Sequence, residues 1–229
     1  MNTREKMTDD SPVVWGRLIL RGPDAATFLD GQWTQRVPER VGERVPGALL
    51  QPDGVVVCAP WVQRLEPEVI ALDVPEESAS VMEARLRRFR VRVRVDFEWG
   101  AVDETEFATR GEQIELGVPG ASEFALGYVA QSFGTSFVSE RVSFTKGCFT
   151  GQELVGRLDA RGGSAPFRLA RLTTDSLERL ETIEEAWTSE AQRRSRLTSV
   201  VVGAHQVRAL ALLHRSAEIS GDGWAGEWL

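Results

Sequence analysis

Lys146, Cys148, Gln152 and Glu153 fall within one eight-residue stretch, "KGCFTGQE", punctuated by Gly147 and Gly151. The side chains supply an ammonium with three donors, a thiol, an amide that both donates and accepts, and a carboxylate that only accepts. Two glycines let the backbone bend sharply and bring its N–H groups close to a ligand. By residue type, the stretch suits the edge of a flat heterocycle that carries donors and acceptors. A plain glycine-punctuated turn with solvated polar side chains uses the same residues. Lysine is rare in this chain: of 27 basic residues only Lys6 and Lys146 are lysine. A compact point donor therefore stands at 146 where the planar fork of arginine is the norm.

The remaining chemistry-bearing residues are sparse. Cys58 and Cys148 have neither a paired metal spacing nor the density of a disulfide framework, which points to a reducing compartment. Cys58 sits in a valine-rich run and is expected in the core. Two readings of Cys148 stand open: a packed small hydrophobe, or a thiol made reactive by the neighbouring Lys146 cation. His205 and His214 form no ligand set, so no metal site is expected. A Ser-His-Asp triad cannot be assembled from sequence order.

The elements that must position this stretch follow from periodicity. Residues 13–22, "VVWGRLILRG", alternate as a strand, and "PDAATFLDG" reads as a short helix opened by Pro23 and Asp24 and closed at Gly31. Pro52-Asp53-Gly54 marks a turn between two β-branched runs, with a further strand over 69–74, an antiparallel meander. Ala79, Met82, Leu86 and Phe89 recur at helical spacing behind Glu76 and Glu77. "VRVRVDFEW" is expected as a half-exposed strand with Val91, Val93 and Val95 on one face. Residues 123–134 read as a short helix ended by Gly134. Further on, Leu177, Leu180, Ile183, Trp187 and Ala191 suit an amphipathic helix, followed by two strands about Gly203. The mixture predicts an α+β fold. We place a division after Arg161-Gly162-Gly163, giving regions 12–163 and 164–229.

Bulk properties bound the function. A hydrophobic fraction of 42% and a charged fraction of 27% over 229 residues are those of a chain that builds a packed core. The net charge of −7 argues against sequence-blind nucleic-acid binding, which draws its affinity from counterion displacement by a basic surface. No apolar run approaches the ~20 residues that span a bilayer. The opening "MNTREKMTDDSP" has no apolar stretch of the signal-peptide kind, so a cytoplasmic protein is expected.

"KGCFTGQELVGR" resembles the signature K-G-C-Y-x-G-Q-E-x-x-x-R of the YgfZ branch of the folate-binding proteins related to the glycine-cleavage T-protein. "GRLILRGPDAATFLDGQWTQ" is similar to that family's opening strand, helix and F-L-x-G-Q-x-T element. "LLQPDGVVVC" resembles its T-P-x-G-R hairpin, "RLRRFRVRVRV" its basic helix-to-strand joint, and "RLTSVVVGAHQVRALALLHR" its closing strand pair. The resemblance implies a cloverleaf of ferredoxin-like α+β domains around a central cavity, followed by a small, shortened β-barrel domain. It further implies tetrahydrofolate or a one-carbon folate derivative as the ligand. By resemblance the binding residues are Lys146, Gly147, Gly151, Gln152, Glu153, Arg157, Gln32 and Thr34, with Cys148 as a redox or cluster contact.

The implied role is an accessory one in the maturation or repair of iron–sulfur proteins, linked to tRNA modification, with client proteins or assembly factors as partners and neither membrane nor stable nucleic-acid binding. A folate-dependent aminomethyltransferase and a degenerate binding scaffold are the alternatives. The T-protein's catalytic aspartate has no match in "MNTREKMTDDSPVVWG". Phe149 replaces the family's tyrosine, Arg36 stands at the aspartate of its T-N-D element, Glu140 is the nearest counterpart of its P-x-E carboxylate, and the final domain lacks its glycine-rich strands. The run Arg85, Arg87, Arg88, Arg90, Arg92 and Arg94 reads as a solvated helix end and outer strand face. An anionic folate tail is its functional alternative.

Overall fold

A computed structural model describes residues 12–102, 109–163, 165–187 and 195–229. These pack into two units. Residues 14–102 with 136–162 form one, and 12–13, 109–135, 163, 165–187 and 195–229 form the other.

The first unit holds β1 (Trp15–Arg21), α1 (Ala25–Asp30), β2 (Arg44–Pro46), β3 (Leu49–Leu50), β4 (Val56–Cys58), β5 (Trp61–Glu66), β6 (Val69–Pro75), α2 (Glu76–Phe89) and β7 (Asp96–Gly100). Its sheet runs β2-β5-β6-β1-β7, and every neighbouring pair is antiparallel. It follows that β1 and β5 are parallel with β6 between them, and β6 and β7 are parallel with β1 between them. Two strand–helix–strand units are thus interleaved, the ferredoxin-like arrangement expected from the resemblance. Leu18 and Leu20 of β1, Ile70 and Leu72 of β6, Phe28 and Leu29 of α1, and Met82 and Leu86 of α2 close one core with Trp33 and Cys58. Within this sheet Arg17 Nε meets Asp73 Oδ1 at 2.7 Å and Nη2 meets Oδ2 at 2.9 Å, a buried two-point pair that locks β1 to β6.

The strand expected over 91–99 begins only at Asp96. Arg92 takes a left-handed φ of 57°, which ends extension. The Asp24 carboxylate accepts from Arg94 N at 2.8 Å and from the Arg94 guanidinium. A local polar grip therefore replaces ladder pairing over 91–95, and Val91 is exposed while Val95 is buried.

The second unit holds α3 (Arg110–Leu116), α4 (Ala121–Phe124), a 3₁₀ turn (Ala130–Phe133), β8 (Phe167–Thr174), α7 (Leu177–Ala186), β9 (Arg196–Val202), β10 (Val207–His214), β11 (Ser220–Gly221) and β12 (Trp224–Trp228); α5 (Thr135–Arg141) and α6 (Gln152–Ala160) belong to the first unit, save for Thr135. The helix expected over 123–134 is broken in two, because Gly127 adopts a φ of 75°; the first piece, α4, starts where the Glu123 carboxylate turns back to accept from Gly120 N. Strands β9 and β10 pair about Gly203 as expected. The amphipathic helix is α7; Ala191 of its expected apolar face lies outside the described residues.

Among the described residues the second sheet is open, in the order β11-β12-β8-β10-β9, where the sequence led us to expect a small barrel. One end strand, β11, has only two residues. The other, β9, lies against α3, α4 and α7. A buried polar set ties these helices down: Arg110 donates to Gln113 Oε1 (2.6 Å), Glu123 Oε2 (2.7 Å) and Ser199 Oγ (2.8 Å), and Ser199 donates to Glu123 Oε1 (2.7 Å).

Candidate functional site

Two segments more than a hundred residues apart in sequence, 30–36 after α1 and 140–151 before α6, lie side by side in the first unit. Thr34 begins the joint: its hydroxyl donates to Arg141 O at 2.6 Å and accepts from Ala48 N at 2.8 Å, while Thr34 O accepts from Ser143 N. Arg36 donates to Thr145 O at 2.9 Å. Thr150 N donates to Gly31 O at 3.0 Å, and the Thr150 hydroxyl donates to Gln32 Oε1 at 3.0 Å.

Lys146 is the centre of this joint. Its ammonium lies within 3.0 Å of four oxygens: Asp30 O (2.7 Å), Asp30 Oδ1 (3.0 Å), Trp33 O (2.8 Å) and Gln35 O (2.9 Å). Three N–H donors facing four protein acceptors leave no proton for a ligand. The ammonium also stands 5.6 Å from the Phe149 ring centre. Burial holds the Lys146 pKa below the ordinary lysine value, and the Asp30 carboxylate offsets this only in part. The lysine singled out by composition is thus a fastener, closing the open end of α1 and capturing carbonyls that the turn cannot satisfy by itself.

The other motif residues divide by burial. Phe149 is buried, so its ring packs inward where a tyrosine hydroxyl would need a partner. Cys148 is exposed, which decides against the packed-thiol reading; with Lys146 turned inward, the ammonium is engaged by oxygens and donates nothing to the thiol. Cys58 is fully buried, and burial pushes its thiol pKa far up, leaving it an inert core residue. Gly147 has open space where a Cβ would stand. Gly151 does not: at φ 85° a Cβ would lie 2.5 Å from Gln51 O and 2.8 Å from Leu50 Cβ. It is also the residue that opens α6, whose first turn carries Gln152 and Glu153. Arg157 and Glu153 pair one turn apart on the exposed face of that helix.

Its sequence neighbours place Arg85 in a solvated arginine run. It is instead 3% exposed. Its Nε donates to Leu50 O at 2.7 Å, its Nη1 donates to Gln32 Oε1 at 3.0 Å, and its guanidinium stacks 3.9 Å from the Phe89 ring centre. Burial brings its pKa down to about 10, so it stays charged at neutral pH. The signal was available: 82, 85, 86 and 89 are one helical face, and Arg85 shares it with Met82, Leu86 and Phe89. Arg87 and Arg90 pair with Glu83 and Asp96 on the outside, as a solvated run should. Asp30 and Thr150, the partners of Lys146 and Gln32, carried no pattern that sequence reading could use. Glu140 contributes its backbone oxygen to Gln35 Nε2.

Elsewhere, a cleft of about 470 Å³ in the second unit is lined by Thr182, Ile183, Trp187, Ser216, Glu218 and Trp224 among others. Its cation, Arg179, is held by Asp175 and Asp222 O. Among the described residues no cluster of His, Cys, Asp and Glu has the geometry of a metal site, and no helix is long and apolar enough to cross a membrane.

No family model matches the chain, and no curated protein does. Solved structures do: the fold is similar to that of the glycine cleavage system aminomethyltransferase T from Bartonella henselae, with a TM-score of 0.58 at 10% identity over 97% of this chain and 84% of that one. The chain therefore has a T-protein-like fold.

Proposed function

We propose that the chain binds tetrahydrofolate or a one-carbon derivative against the 30–36 and 146–153 joint, and serves as an accessory protein in the maturation or repair of iron–sulfur proteins, with tRNA modification as a dependent process. The observation that carries the reading is the joint itself. The two segments that most resemble the folate-binding proteins, "GQWTQ" and "KGCFTGQE", are fastened by Lys146 and Thr34. The same joint leaves Cys148 exposed and open space where a Cβ would stand at Gly147. The likeness to an aminomethyltransferase fold supports the same ancestry. In this reading Lys146 and Thr34 hold the loop, Gly147 and Gly151 shape it, and Gln32, Gln152, Glu153 and Arg157 meet the ligand. Cys148 is the contact to a cluster or client. With Cys58 buried, one accessible thiol cannot hold a four-thiolate cluster, so any cluster is shared with a partner.

Titration with 5-formyltetrahydrofolate, followed by tryptophan fluorescence and calorimetry, tests the ligand. Saturable binding supports the proposal, and silence in both leaves a degenerate scaffold. The fold neighbour favours a second reading, aminomethyl transfer, in which the protein would position an amine and a folate nitrogen. Turnover of a lipoyl-bound aminomethyl donor would establish it. In cells, Cys148→Ala should bind folate like the parent and fail to complement an iron–sulfur maintenance defect.

A further inference from the structure

Gln32 has one defined polarity. A guanidinium only donates, so the corner of the Gln32 amide that faces Arg85 Nη1 at 3.0 Å is its oxygen. The Thr150 hydroxyl takes the same oxygen at 3.0 Å. Oε1 is thereby filled, and the amide nitrogen points away from both. Nε2 has no partner among the described residues and is not enclosed by them. Arg85 cannot turn to release the amide, being held by Leu50 O and the Phe89 ring. Its Nη2 is enclosed and has no partner among the described residues, a second donor left over in the same cluster.

We infer that Gln32 is the donor of a ligand subsite, its carboxamide turned by buried Arg85 so that the N–H₂ group meets a carbonyl or carboxylate oxygen of a small molecule. Arg85 is the positioning residue. The subsite rejects a ligand edge that presents an N–H, because donor would face donor. The choice of a folate as that ligand rests on the proposed function; the polarity of the subsite does not.

The test follows the Gln32 side-chain amide by ¹⁵N–¹H NMR in the whole protein, assigned by its disappearance in Gln32→Glu. The probes are 5-formyltetrahydrofolate, pterin-6-carboxylate, p-aminobenzoylglutamate and formate. We expect a saturable shift of the Gln32 amide protons with 5-formyltetrahydrofolate. Gln32→Glu keeps the oxygen that Arg85 needs, keeps the urea midpoint, and weakens binding tenfold or more. In Arg85→Met the Gln32 amide resonance moves in the free protein and binding falls about fivefold. A shift with one of the fragments and none with the folate supports the subsite and sinks the folate reading. Folate binding that leaves the Gln32 resonance unmoved, or binding by Gln32→Glu within twofold of the parent, overturns the subsite and spares the folate. If no probe moves the resonance, the subsite is overturned.

Discussion

At the scale of single residues, Lys146 shows how a sequence can mark a position and leave its task open. A lone lysine among arginines suggested a donor to a ligand, yet four protein oxygens surround it. Lys146→Ala strips charged hydrogen bonds from carbonyls inside the joint and should cost about 2–4 kcal/mol, read as a lowered urea midpoint. The pH dependence has a definite sign. The folded-state pKa lies below the unfolded value, so the unfolded chain binds more protons between the two. This group's contribution to stability therefore rises with pH through the window from the lowered value up to 10.5, and the rise is absent in Lys146→Ala. The two thiols give a simpler measurement. In native protein a disulfide reagent should titrate one cysteine, none in Cys148→Ser, and Cys58 only after unfolding.

At the scale of elements, the start of α6 depends on how closely two backbones approach. Gly151→Ala combines a left-handed φ with a Cβ placed 2.5 Å from Gln51 O, so a loss of about 1–3 kcal/mol is expected in thermal or urea unfolding. Gly147→Ala meets nothing within 4 Å and should stay within about 0.5 kcal/mol of the parent. If Gly147→Ala nevertheless loses folate affinity, the ligand approaches the backbone there. Strand 91–95 failed as an element for a related reason. Alternation of valine and arginine specifies two faces, but a strand also needs a partner edge, and Asp24 takes the Arg94 N–H that would have joined one.

At the scale of the whole molecule, the units are interleaved along the chain. Arg110, Gln113 and Glu123 lie before the division after Gly163, while Ser199 lies after it, and all four are buried in the second unit. A fragment of residues 164–229 should therefore lack native chemical-shift dispersion when expressed alone, because β9 would be left without the groups that satisfy Ser199. A fragment that folds by itself would contradict this. In the full chain Arg110→Met leaves the buried Glu123 carboxylate without its counter-cation, with the Ser199 hydroxyl and Gly120 N donating to it, and should cost about 3–5 kcal/mol in urea unfolding.

Much of the fold was legible because it rests on local periodicity. Strand β1, the hairpin at Pro52-Asp53-Gly54, α2, α7 and the β9–β10 pair follow from alternation, helical spacing and turn residues, signals that hold where the tertiary structure supplies the partner they need. By themselves the residues also marked "KGCFTGQE" as the place to look, through its glycines, its thiol and its lysine. They could not say which way each side chain points. Lys146 turned inward because segment 30–36 brings carbonyl oxygens to it; Arg85 left the solvated run because Leu50 and Gln32 lie under its helix face. Direction is fixed by what the distant segment offers, and a one-dimensional pattern carries no record of which distant segment arrives.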